Sequence, residues 1–495
     1  MKILLVYPEY PDTFWSFKHA LKFVGKKAAF PPLGLLTVAA MLPMGWEKKL
    51  VDMNVHSLTD GQIEWADYIF ISAMEVQKNS AKEIIDRANV LGKKIVAGGP
   101  LFTTAPEQFP EVDHLVLNEA EITLPPFLKD LSSDRIQRIY SSNKHPEITD
   151  TPLPLWELIR LGDYSCMSIQ YSRGCPFDCE FCDITFLDGH VPRTKSKDQI
   201  IAEMDLLYEM GWRGSVFIVD DNFISNKKKL KEEVLPAIIL WQKKKKYPFS
   251  FLAEASINLA DDEDLMKLMA KAGFDRVFVG IETPHQASLV ETGKKQNIDR
   301  DLIADVKTLQ NHGLEVMGGF IVGFDSDDPV TIFDAQIDFI QKSGIVVAMV
   351  GLLNAPRGTH LHERLQREGR LREGFSGDNM DSSLNFVPKM KRQFLIEGYR
   401  RILNTIYAPR QYYERVEMFL KEYKPKTKNR FSWYQFVGLI NCLIIVGMRD
   451  NDHNGRRYFW KLFFITLIKR PRSFPIFIMQ AIYGHHFRKV VSKII

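Results

Sequence analysis

The sequence has few cysteines and no long hydrophobic run. Its 495 residues include five cysteines, too few for a disulfide scaffold. The longest apolar candidate, 431–448, is interrupted by Ser432, Gln435 and Asn441, so we predict no transmembrane helix. The first apolar run is short and reaches a proline at Pro8, so we expect no secretory signal peptide. These absences predict a cytoplasmic protein with reduced thiols.

The composition is that of a globular chain with unevenly distributed charge. Apolar residues make up 45% and charged residues 25%, which excludes a disordered or low-complexity polymer. The length predicts about three domains. The net charge is +4, but residues 388–495 carry a net of +16 and the first 387 residues a net of −12. Such a basic tail indicates an anionic partner, nucleic acid or membrane, unless it is only a solvated face.

Residues 1–140 have the pattern of a doubly wound parallel sheet. Short apolar runs alternate with helical patterns, which predicts parallel strands with helices on both faces. Ligands of such sheets bind beyond the carboxyl ends of the strands, where this sequence has Ser72, Gly98, Gly99 and Glu119. The glycines would let a flat ligand approach the backbone, although glycine turns after strands are also common without a ligand.

Three further regions follow. Residues 141–165 are rich in Pro, Ser and Thr and are predicted to form a linker. Residues 166–388 repeat the strand–helix pattern six times, which predicts a partial (β/α)6 barrel, because a full eight-unit barrel needs about 250 residues. Residues 389–495 are predicted to be mainly helical, basic and aromatic. The predicted fold class is therefore α/β with a Rossmann-like sheet, a partial barrel and a helical C-terminal region.

The most informative motif is a group of three cysteines after the first barrel strand. Cys175, Cys179 and Cys182 are spaced four and three apart, and thiolates on one loop can hold an iron–sulfur cube. Three ligands would leave one iron open, as in catalytic metal sites. Cys166 and Cys442 lack partners for a second cluster. Structural zinc normally takes four protein ligands, so zinc or incidental cysteines are weaker interpretations.

The CxxxCxxC motif resembles that of the radical S-adenosylmethionine (SAM) superfamily. The sheet before it is similar to the cobalamin-binding domain of the cobalamin-dependent branch, and the likeness to the hopanoid methylase group spans about residues 1–410. The segments that carry it are Phe30–Ala40, Val51–Val55, Gly98–Pro100, Asp220–Phe223, Ala253–Ser256, Gly280–Pro284 and Gly318–Asp325. The resemblance implies that SAM is cleaved to a 5′-deoxyadenosyl radical, which removes a hydrogen atom from an unactivated carbon; in methylating members, methylcobalamin then delivers the methyl group.

The resemblance also implies roles for individual residues. Cys175, Cys179 and Cys182 would be catalytic and would hold a 4Fe–4S cluster with SAM on its open iron. The residues expected around SAM are Phe181 beside the adenine, Asp220 and Asn222 at the methionyl amine, Glu254 and Glu282 at the barrel mouth, and Gly319, Ile321 and Gly323 at the adenine edge. Two other interpretations stay open: Phe181 as a core aromatic, and Asp220–Asn222 as a helix cap.

One stretch departs from the family pattern. Many cobalamin proteins carry an Asp-x-His-x-x-Gly loop whose histidine ligates cobalt, but here Asn54 and Ser57 replace the histidine and the glycine, and His56 is out of register. The resemblance therefore implies cobalamin without a histidine ligand, or a domain that has lost the cofactor. The residues expected around cobalamin are Asp52, Asn54, Ser72, Gly98, Gly99 and Glu119.

The composition of the C-terminal region predicts the cellular location of the protein. Residues 424–495 combine aromatic side chains with Lys and Arg clusters, a combination that binds anionic membrane interfaces. Nucleic acid is the competing partner, but the Ile-, Leu- and Phe-rich runs favour lipid and make nucleic acid an unlikely partner. A third possibility is a helical subdomain packed on the barrel. The expected location is cytoplasmic, peripheral on the inner membrane face.

The sequence predicts a cobalamin-dependent radical SAM methyltransferase that acts on an unactivated carbon of a hopanoid- or isoprenoid-like lipid. The expected partners are this substrate and a reductant such as ferredoxin or flavodoxin. One alternative uses the same radical without methyl transfer, for ring formation, carbon–carbon coupling or rearrangement, with a vestigial cobalamin domain. Another is a non-catalytic redox or cobalamin-sensing module.

Overall fold

The structure is a computed structural model that describes residues 1–372, 374–378, 380–425, 433–450 and 452–494, with only the backbone described for Trp433 and Tyr434. Within the segment predicted to contact membrane, residues 426–432, 451 and 495 and these two side chains lie outside the described part. The described residues form two six-stranded parallel sheets and a C-terminal helical region.

The first sheet is doubly wound and has the strand order β2-β1-β3-β4-β5-β6, all parallel. Its strands are β1 (Lys2–Tyr7), β2 (Glu47–Asp52), β3 (Tyr68–Ser72), β4 (Lys94–Gly98), β5 (His114–Val116) and β6 (Ile139–Tyr140). The helices are α1 (Lys18–Leu21), α2 (Leu33–Met41), α3 (Asp60–Trp65), α4 (Lys78–Val90), α5 (Pro100–Thr104) and α6 (Ala120–Ser132). Successive apolar residues of β1 are buried on opposite faces, Leu4 in one cluster and Leu5 in the other, because side chains alternate along a strand.

The second sheet forms the partial barrel and has the order β14-β13-β12-β11-β10-β7. Its strands are β7 (Cys166–Ile169), β10 (Gly214–Ile218), β11 (Phe249–Glu254), β12 (Phe274–Glu282), β13 (Glu315–Val322) and β14 (Ala348–Leu352), with a separate hairpin of β8 (Ser172–Arg173) and β9 (Arg193–Thr194). The helices are α7 (Ile184–Asp188), α8 (Lys197–Glu209), α9 (Lys227–Lys229), α10 (Leu235–Lys244), α11 (Glu263–Ala272), α12 (Gln286–Glu291), α13 (Leu302–Asn311), α14 (Ile332–Ser343) and α15 (His360–Arg367). Within the described residues, β7 and β14 are the two open edges. The predicted fold class is confirmed.

Local details differ from the sequence prediction. The pattern over 227–243 predicts one helix, but a π-helical turn, Leu230–Val234, separates α9 from α10. Pro236 lies just beyond that turn, and a proline cannot donate the regular helical hydrogen bond. The β8–β9 hairpin is not predicted, because two-residue strands carry no periodicity; the helix α15 is not predicted either.

The C-terminal region consists of helices packed on the barrel and on the N-terminal segment. They are α16 (Arg392–Tyr407), α17 (Pro409–Glu422), α18 (Trp433–Cys442), α19 (His453–Lys469) and α20 (Phe474–Val491). Phe459, Phe477 and Phe487 are fully buried, whereas Phe464 is 54% exposed. Among the described helices, none has both the length and the apolar character needed to cross a bilayer.

Candidate active site

The cysteine motif lies on a loop between β8 and α7 whose start requires a glycine. Gly174 has φ +91°, and a Cβ atom there would lie 2.9 Å from the carbonyl oxygen of Gly189. Only glycine tolerates both conditions. The N–H of Cys175 donates to the same carbonyl over 3.2 Å. The loop is therefore fixed to the end of α7 at its first cysteine.

The three motif thiols are free and largely removed from water. None of them forms a disulfide, and burial raises the pKa of Cys175, Cys179 and Cys182. Within the described residues, no three His, Cys, Asp or Glu side chains converge on a point where they could hold a single metal ion. A larger cluster with one cysteine per iron is the group that this donor set fits.

Asp220, after β10, supports the strand that leads into the cysteine loop. Its carboxylate accepts hydrogen bonds from the N–H of Tyr171 over 2.7 Å and from Ser172 Oγ over 2.6 Å. Burial raises its pKa to about 6. Both carboxylate oxygens of Asp220 therefore already accept hydrogen bonds from the protein.

Asn222 links the ends of two barrel strands. Its Oδ1 accepts a hydrogen bond from the N–H of Ser256 over 3.3 Å, and its Nδ2 donates to Ser256 Oγ over 3.3 Å. Asn222 is the residue before the 3-10 turn Phe223–Asn226, but its side chain makes no capping hydrogen bond there, and α9 is capped by Asn226, which accepts from the N–H of Lys229. Asn222 therefore fixes the β10 loop against the end of β11.

Glu254, at the end of β11, places a carboxyl group at the barrel mouth. Its carboxyl has no hydrogen-bond partner among the described residues, and burial, together with the charge of Asp220, raises its pKa to about 7. Burial and the neighbouring Asp188 and Glu254 also hold the pKa of Asp221 well above its usual range. The mouth is thus a desolvated acidic surface that favours a cationic ligand.

Glu282 ends β12 in a strained conformation. Its φ of +63° is rare for any residue other than glycine and is typical of functional sites. Gln336 Nε2 donates to its carbonyl over 3.0 Å, and Asn297 Nδ2 donates to the strand just before it. The carboxylate accepts a hydrogen bond from Lys294 Nζ over 2.7 Å. The surrounding side chains therefore hold Glu282 in one orientation.

Phe181 connects the cysteine loop to the end of β13. It is partly buried, its ring centroid lies 6.0 Å from that of Phe324, and Lys294 Nζ lies 5.9 Å above the ring. The core-aromatic interpretation and the adenine contact both remain compatible with this position.

Gly319 of β13 and Gly323, directly after this strand, are closely packed inside the protein. A Cβ atom on Gly319 would lie 3.0 Å from the ring of Phe278. Gly323 has φ +109°, and a Cβ atom there would lie 3.0 Å from the side chain of Leu395. Ile321, between them, is partly exposed. Gly319 and Gly323 therefore place no side chain over the backbone at this end of the strand.

At the edge of the first sheet, Asp52 and Asn54 satisfy each other. Asp52 is buried and accepts from the N–H and Nδ2 of Asn54 over 2.9 and 2.8 Å, and from Tyr164 Oη over 2.9 Å. Asn54 Oδ1 accepts from the N–H of Tyr10 over 2.8 Å. Asn54, which takes the place of the histidine in the Asp-x-His-x-x-Gly pattern, is thus bound within the protein.

Ser72, Gly98 and Gly99 form a narrow rim at the ends of β3 and β4. A Cβ atom on Gly98 would lie 2.5 Å from the carbonyl oxygen of Val116. Gly99 has φ +87°, and its Cβ would lie 2.6 Å from Ser72 Oγ. Both glycines are needed for the turn itself, and the rim stays partly exposed.

Glu119 joins the two sheets. Its carboxylate pairs with Arg173 over 2.7 Å, with Arg193 over 2.9 Å and with His145 over 2.8 Å. Arg173 also pairs with Glu121 over 2.9 Å. Although burial alone would raise it, the hydrogen bonds from Arg193 and Arg173 lower the pKa of Glu119. The carboxyl edge of the first sheet is therefore tied to the residues that enter the cysteine loop.

Known protein families match three consecutive parts of the chain. They are the B12 binding domain at residues 27–128, the radical SAM superfamily at 169–334 and a domain of unknown function at 359–495. An uncharacterized methyltransferase of Synechocystis sp. is 40% identical over 100% of this chain and 93% of its own length. The hopanoid C-2 methylase of Rhodopseudomonas palustris is 33% identical over 98% of this chain and 92% of its own.

The chain belongs to the family of cobalamin-binding radical SAM enzymes that includes these two proteins. The predicted family and the predicted enzyme class, a cobalamin-dependent radical SAM methyltransferase, are confirmed. The family's domains imply SAM, an iron–sulfur cluster and cobalamin as cofactors.

Solved structures share the fold of this family member. The cobalamin-dependent SAM radical enzyme OxsB with aqua-cobalamin bound matches with a TM-score of 0.63 at 14% identity, covering 100% of this chain and 80% of that one. The radical SAM methyltransferase TsrM from Kitasatospora setae, with cobalamin and a [4Fe-4S] cluster bound, matches with a TM-score of 0.58 at 16% identity, covering 75% and 79%. At these identities the likeness concerns the fold alone.

The sequence does not single out several charged residues around the site. Arg173 and Lys294 have no motif beyond their neighbours, and Lys294-Lys295 has the pattern of an exposed surface pair. Arg364 of α15 pairs with Glu180, inside the cysteine loop, over 2.5 Å. Their ion-pair partners lie in other parts of the sequence, so no local pattern identifies these residues. The one available signal is a position next to a motif, as for Arg173 before the cysteines.

Proposed function

We propose that this enzyme methylates an unactivated carbon of a lipid-like substrate of the hopanoid or isoprenoid type. When bound, the cluster and SAM would supply a 5′-deoxyadenosyl radical and cobalamin would supply the methyl group. The observation that carries the proposal is the Arg173 contact: this residue lies two positions before Cys175 and pairs with Glu119 and Glu121 of the first sheet. A substrate between the two sheet edges would face both cofactor sites. The relation to the hopanoid C-2 methylase supports the substrate class.

In this proposal the cysteine loop holds the cluster. Cys175, Cys179 and Cys182 would each bind one iron, and the other cysteines lie elsewhere, Cys166 at the start of β7 and Cys442 at the end of α18. The fourth iron would therefore stay open for SAM. Burial of the thiols would exclude water from the cluster.

The residues around the barrel mouth would divide into those that contact SAM and those that position them. Glu254 and Glu282 would face the cationic groups of SAM, while Asp220 and Asn222 would hold the strands that carry them. The side of the site expected to face the adenine consists of Phe181, Gly319, Ile321 and Gly323.

Cobalamin would be held without a histidine ligand. The side chain of His56 is 63% exposed and lies 3.7 Å from Asp163. Asn54 has its donors and acceptor engaged within the protein. The rim of Ser72, Gly98 and Gly99 would contact the ligand through backbone and small side chains, and Asp52 and Glu119 would support the rim rather than ligate cobalt.

The C-terminal helices would place the enzyme on the inner face of the cell membrane. Phe464, Leu467 and Ile468 of α19 are 54%, 44% and 76% exposed, and the region carries the basic excess that anionic lipid attracts. If so, Leu467→Ser with Ile468→Ser should reduce co-sedimentation with phosphatidylglycerol vesicles. Leu240→Ser, at a residue of α10 that is 68% exposed, is the matched control. Equal binding of all the variants would contradict membrane docking by α19.

The proposed reaction is tested on protein purified without oxygen and reconstituted with iron, sulfide and hydroxocobalamin. About four irons and one cobalt per chain are expected. Reduced flavodoxin or ferredoxin, SAM with a deuterated methyl group, and a hopanoid hydrocarbon should then give a deuteromethylated product. Four irons and SAM cleavage without cobalt would favour the radical reaction without methyl transfer, and absence of iron would contradict the proposal.

A further inference from the structure

A segment outside the cysteine motif lies against the thiols. It runs from Thr292 to Asn297, between α12 and α13, and the N–H of Glu180 in the cysteine loop donates to the carbonyl of Thr292 over 2.9 Å. No motif in the sequence points to this segment. Gln296 of this segment contacts a motif thiol, and Lys294 lies above the ring of Phe181 in the cysteine loop.

Gln296 offers an amide hydrogen to a sulfur. Its Nε2 lies 3.7 Å from Cys179 Sγ, and Cys179 is 8% exposed. The amide oxygen of the same side chain is buried and has no partner among the described residues, so the amide group is not held by other protein contacts that would explain its position. Hydrogen bonds to cluster sulfurs are one of the ways in which proteins set the reduction potential.

Lys294 places a positive charge beside the same loop. Its side chain is 12% exposed and pairs with Glu282, which is 8% exposed. A Cβ atom on Gly280 would lie 2.8 Å from Lys294 Nζ and would overlap Glu282 Oε1, so the glycine makes room for this pair. Lys294 Nζ also lies 5.9 Å above the ring of Phe181, the residue between Cys179 and Cys182.

We infer that Lys294 and Gln296 are positioning residues that raise the reduction potential of the cluster held by the three cysteines. The inference rests on the proposed function, because it requires that cluster. The step concerned is the uptake of one electron by the oxidised cluster from a low-potential one-electron carrier. No bond forms or breaks at Lys294 or Gln296, and no proton moves. A buried cation and an N–H donor favour the reduced cluster because it carries one more negative charge.

The salt bridge between Lys294 and Glu282 provides a test based on the direction in which the reduction potential shifts. Lys294→Met removes a positive charge near the cluster and should make the midpoint potential more negative. Glu282→Gln breaks the same salt bridge but removes a negative charge, so it should make the potential more positive. A purely structural role for the pair would give shifts in the same direction.

The experiment measures midpoint potentials by redox titration with electron paramagnetic resonance, on full-length protein reconstituted with iron and sulfide, without SAM or cobalamin. Lys294→Met should shift the reduction equilibrium about tenfold, or 59 mV for one electron, and Gln296→Leu about threefold in the same direction. Lys294→Arg should restore the wild-type value. Lys295→Gln, the same charge change at an exposed neighbour, is the matched control.

The inference is overturned if Lys294→Met and Glu282→Gln shift the potential in the same direction, or if Lys294→Met equals the Lys295→Gln control. If Lys294→Met assembles no cluster, Glu282→Gln and Gln296→Leu decide the question by the signs of their shifts. A wild-type protein that assembles no cluster would contradict the proposed function itself. A cluster of normal iron content whose reduction potential is the same in these variants as in the wild type would contradict this inference alone.

Discussion

The carboxyl ends of the two sheets differ in how their polar groups are satisfied. At the first sheet, Asp52, Asn54 and Glu119 all have partners within the protein. At the barrel mouth, Glu254 has none among the described residues and its pKa is raised to about 7 by burial, while Glu282 sits in a strained backbone conformation.

This difference matches the chemistry of the ligands that the family binds. An edge whose polar side chains are already paired holds a ligand through shape and backbone contacts. An edge with desolvated carboxyls gains stability from a cation, because opposite charge favours the ionised acid. SAM carries an ammonium and a sulfonium group, so under the proposed function it would bind at the barrel mouth, and cobalamin would rest on the first edge without a strong side-chain ligand.

The largest change is expected from removing a thiol at the barrel mouth. Cys179→Ala should abolish reductive SAM cleavage, because the cluster would lose one of three ligands. The measurement is 5′-deoxyadenosine formed with dithionite as reductant. Cys442→Ala, at a buried cysteine far from the loop, should retain cleavage. Wild-type cleavage by Cys179→Ala would place the chemistry elsewhere in the molecule.

The second largest effect should come from cutting the connection between the two edges. Arg173→Gln removes the ion-pair partner of the buried Glu121 carboxylate and one of the two arginines that pair with Glu119, which should cost about 3–5 kcal/mol in the free energy of unfolding. Arg87→Gln, which breaks a pair with the exposed Asp60, should cost about 1 kcal/mol or less. Urea denaturation of the apoprotein measures both. Equal losses would mean that the Arg173 network contributes no more than a surface ion pair.

The same network predicts an acid-sensitive stability. Burial alone would raise the pKa of Glu121, but the hydrogen bond from Arg173 lowers it to about 2. Its stabilisation is therefore complete above the ordinary value of 4.5 and is lost as the pH falls from there toward 2. Arg173→Gln should weaken this dependence between pH 4.5 and 2, which a series of unfolding curves would show.

The contribution of Glu254 to stability should depend on pH in the opposite direction to that of Glu121. Its folded pKa of about 7 lies above the ordinary 4.5, so the folded state loses stability as the pH rises from 4.5 to 7. Glu254→Gln should therefore raise the free energy of unfolding at pH 8 by about 1–3 kcal/mol and change it little at pH 4. SAM affinity, measured by calorimetry on the reconstituted enzyme, should fall. A variant less stable than the wild type at pH 8 would refute the unpaired state of Glu254.

The smallest effect is expected at the first edge. His56→Ala should leave the paramagnetic resonance spectrum of bound cob(II)alamin unchanged, because the His56 side chain is exposed and lies beside Asp163. Asn54→Ala, which removes contacts to Asp52 and Tyr10, should weaken cobalamin binding without changing that spectrum. Loss of a nitrogen splitting in His56→Ala would show that this histidine is a cobalt ligand after all.

Much of the fold could be predicted from the sequence because its strands are short, buried and apolar. The bounds of β1, Lys2–Tyr7, and of β13, Glu315–Val322, agree with the runs visible in the sequence. Such runs carry their own signal, since a strand buried on both faces must be continuously hydrophobic. The two-residue strands β8 and β9 carry no such signal, and their pairing depends on the cysteine loop between them.

The candidate site was predictable only in part. The cysteine spacing and the strand-end positions of Glu254 and Glu282 follow from local sequence, because strand ends in a parallel sheet share one edge. The roles of Asp220 and Glu119 do not, because they depend on what lies opposite. Asp220 meets Ser172 and Glu119 meets Arg173, partners that are about fifty residues away.

The sequence by itself determined the order of the domains, the family and the three thiols, because each is encoded in residues close together along the chain. The tertiary structure alone decided which carboxyls are paired and which are left open. It placed Arg173 against Glu119, Lys294 against Glu282, and Gln296 against Cys179. Pairing and desolvation depend on the distances between side chains and on their burial, and these exist only once the chain has folded.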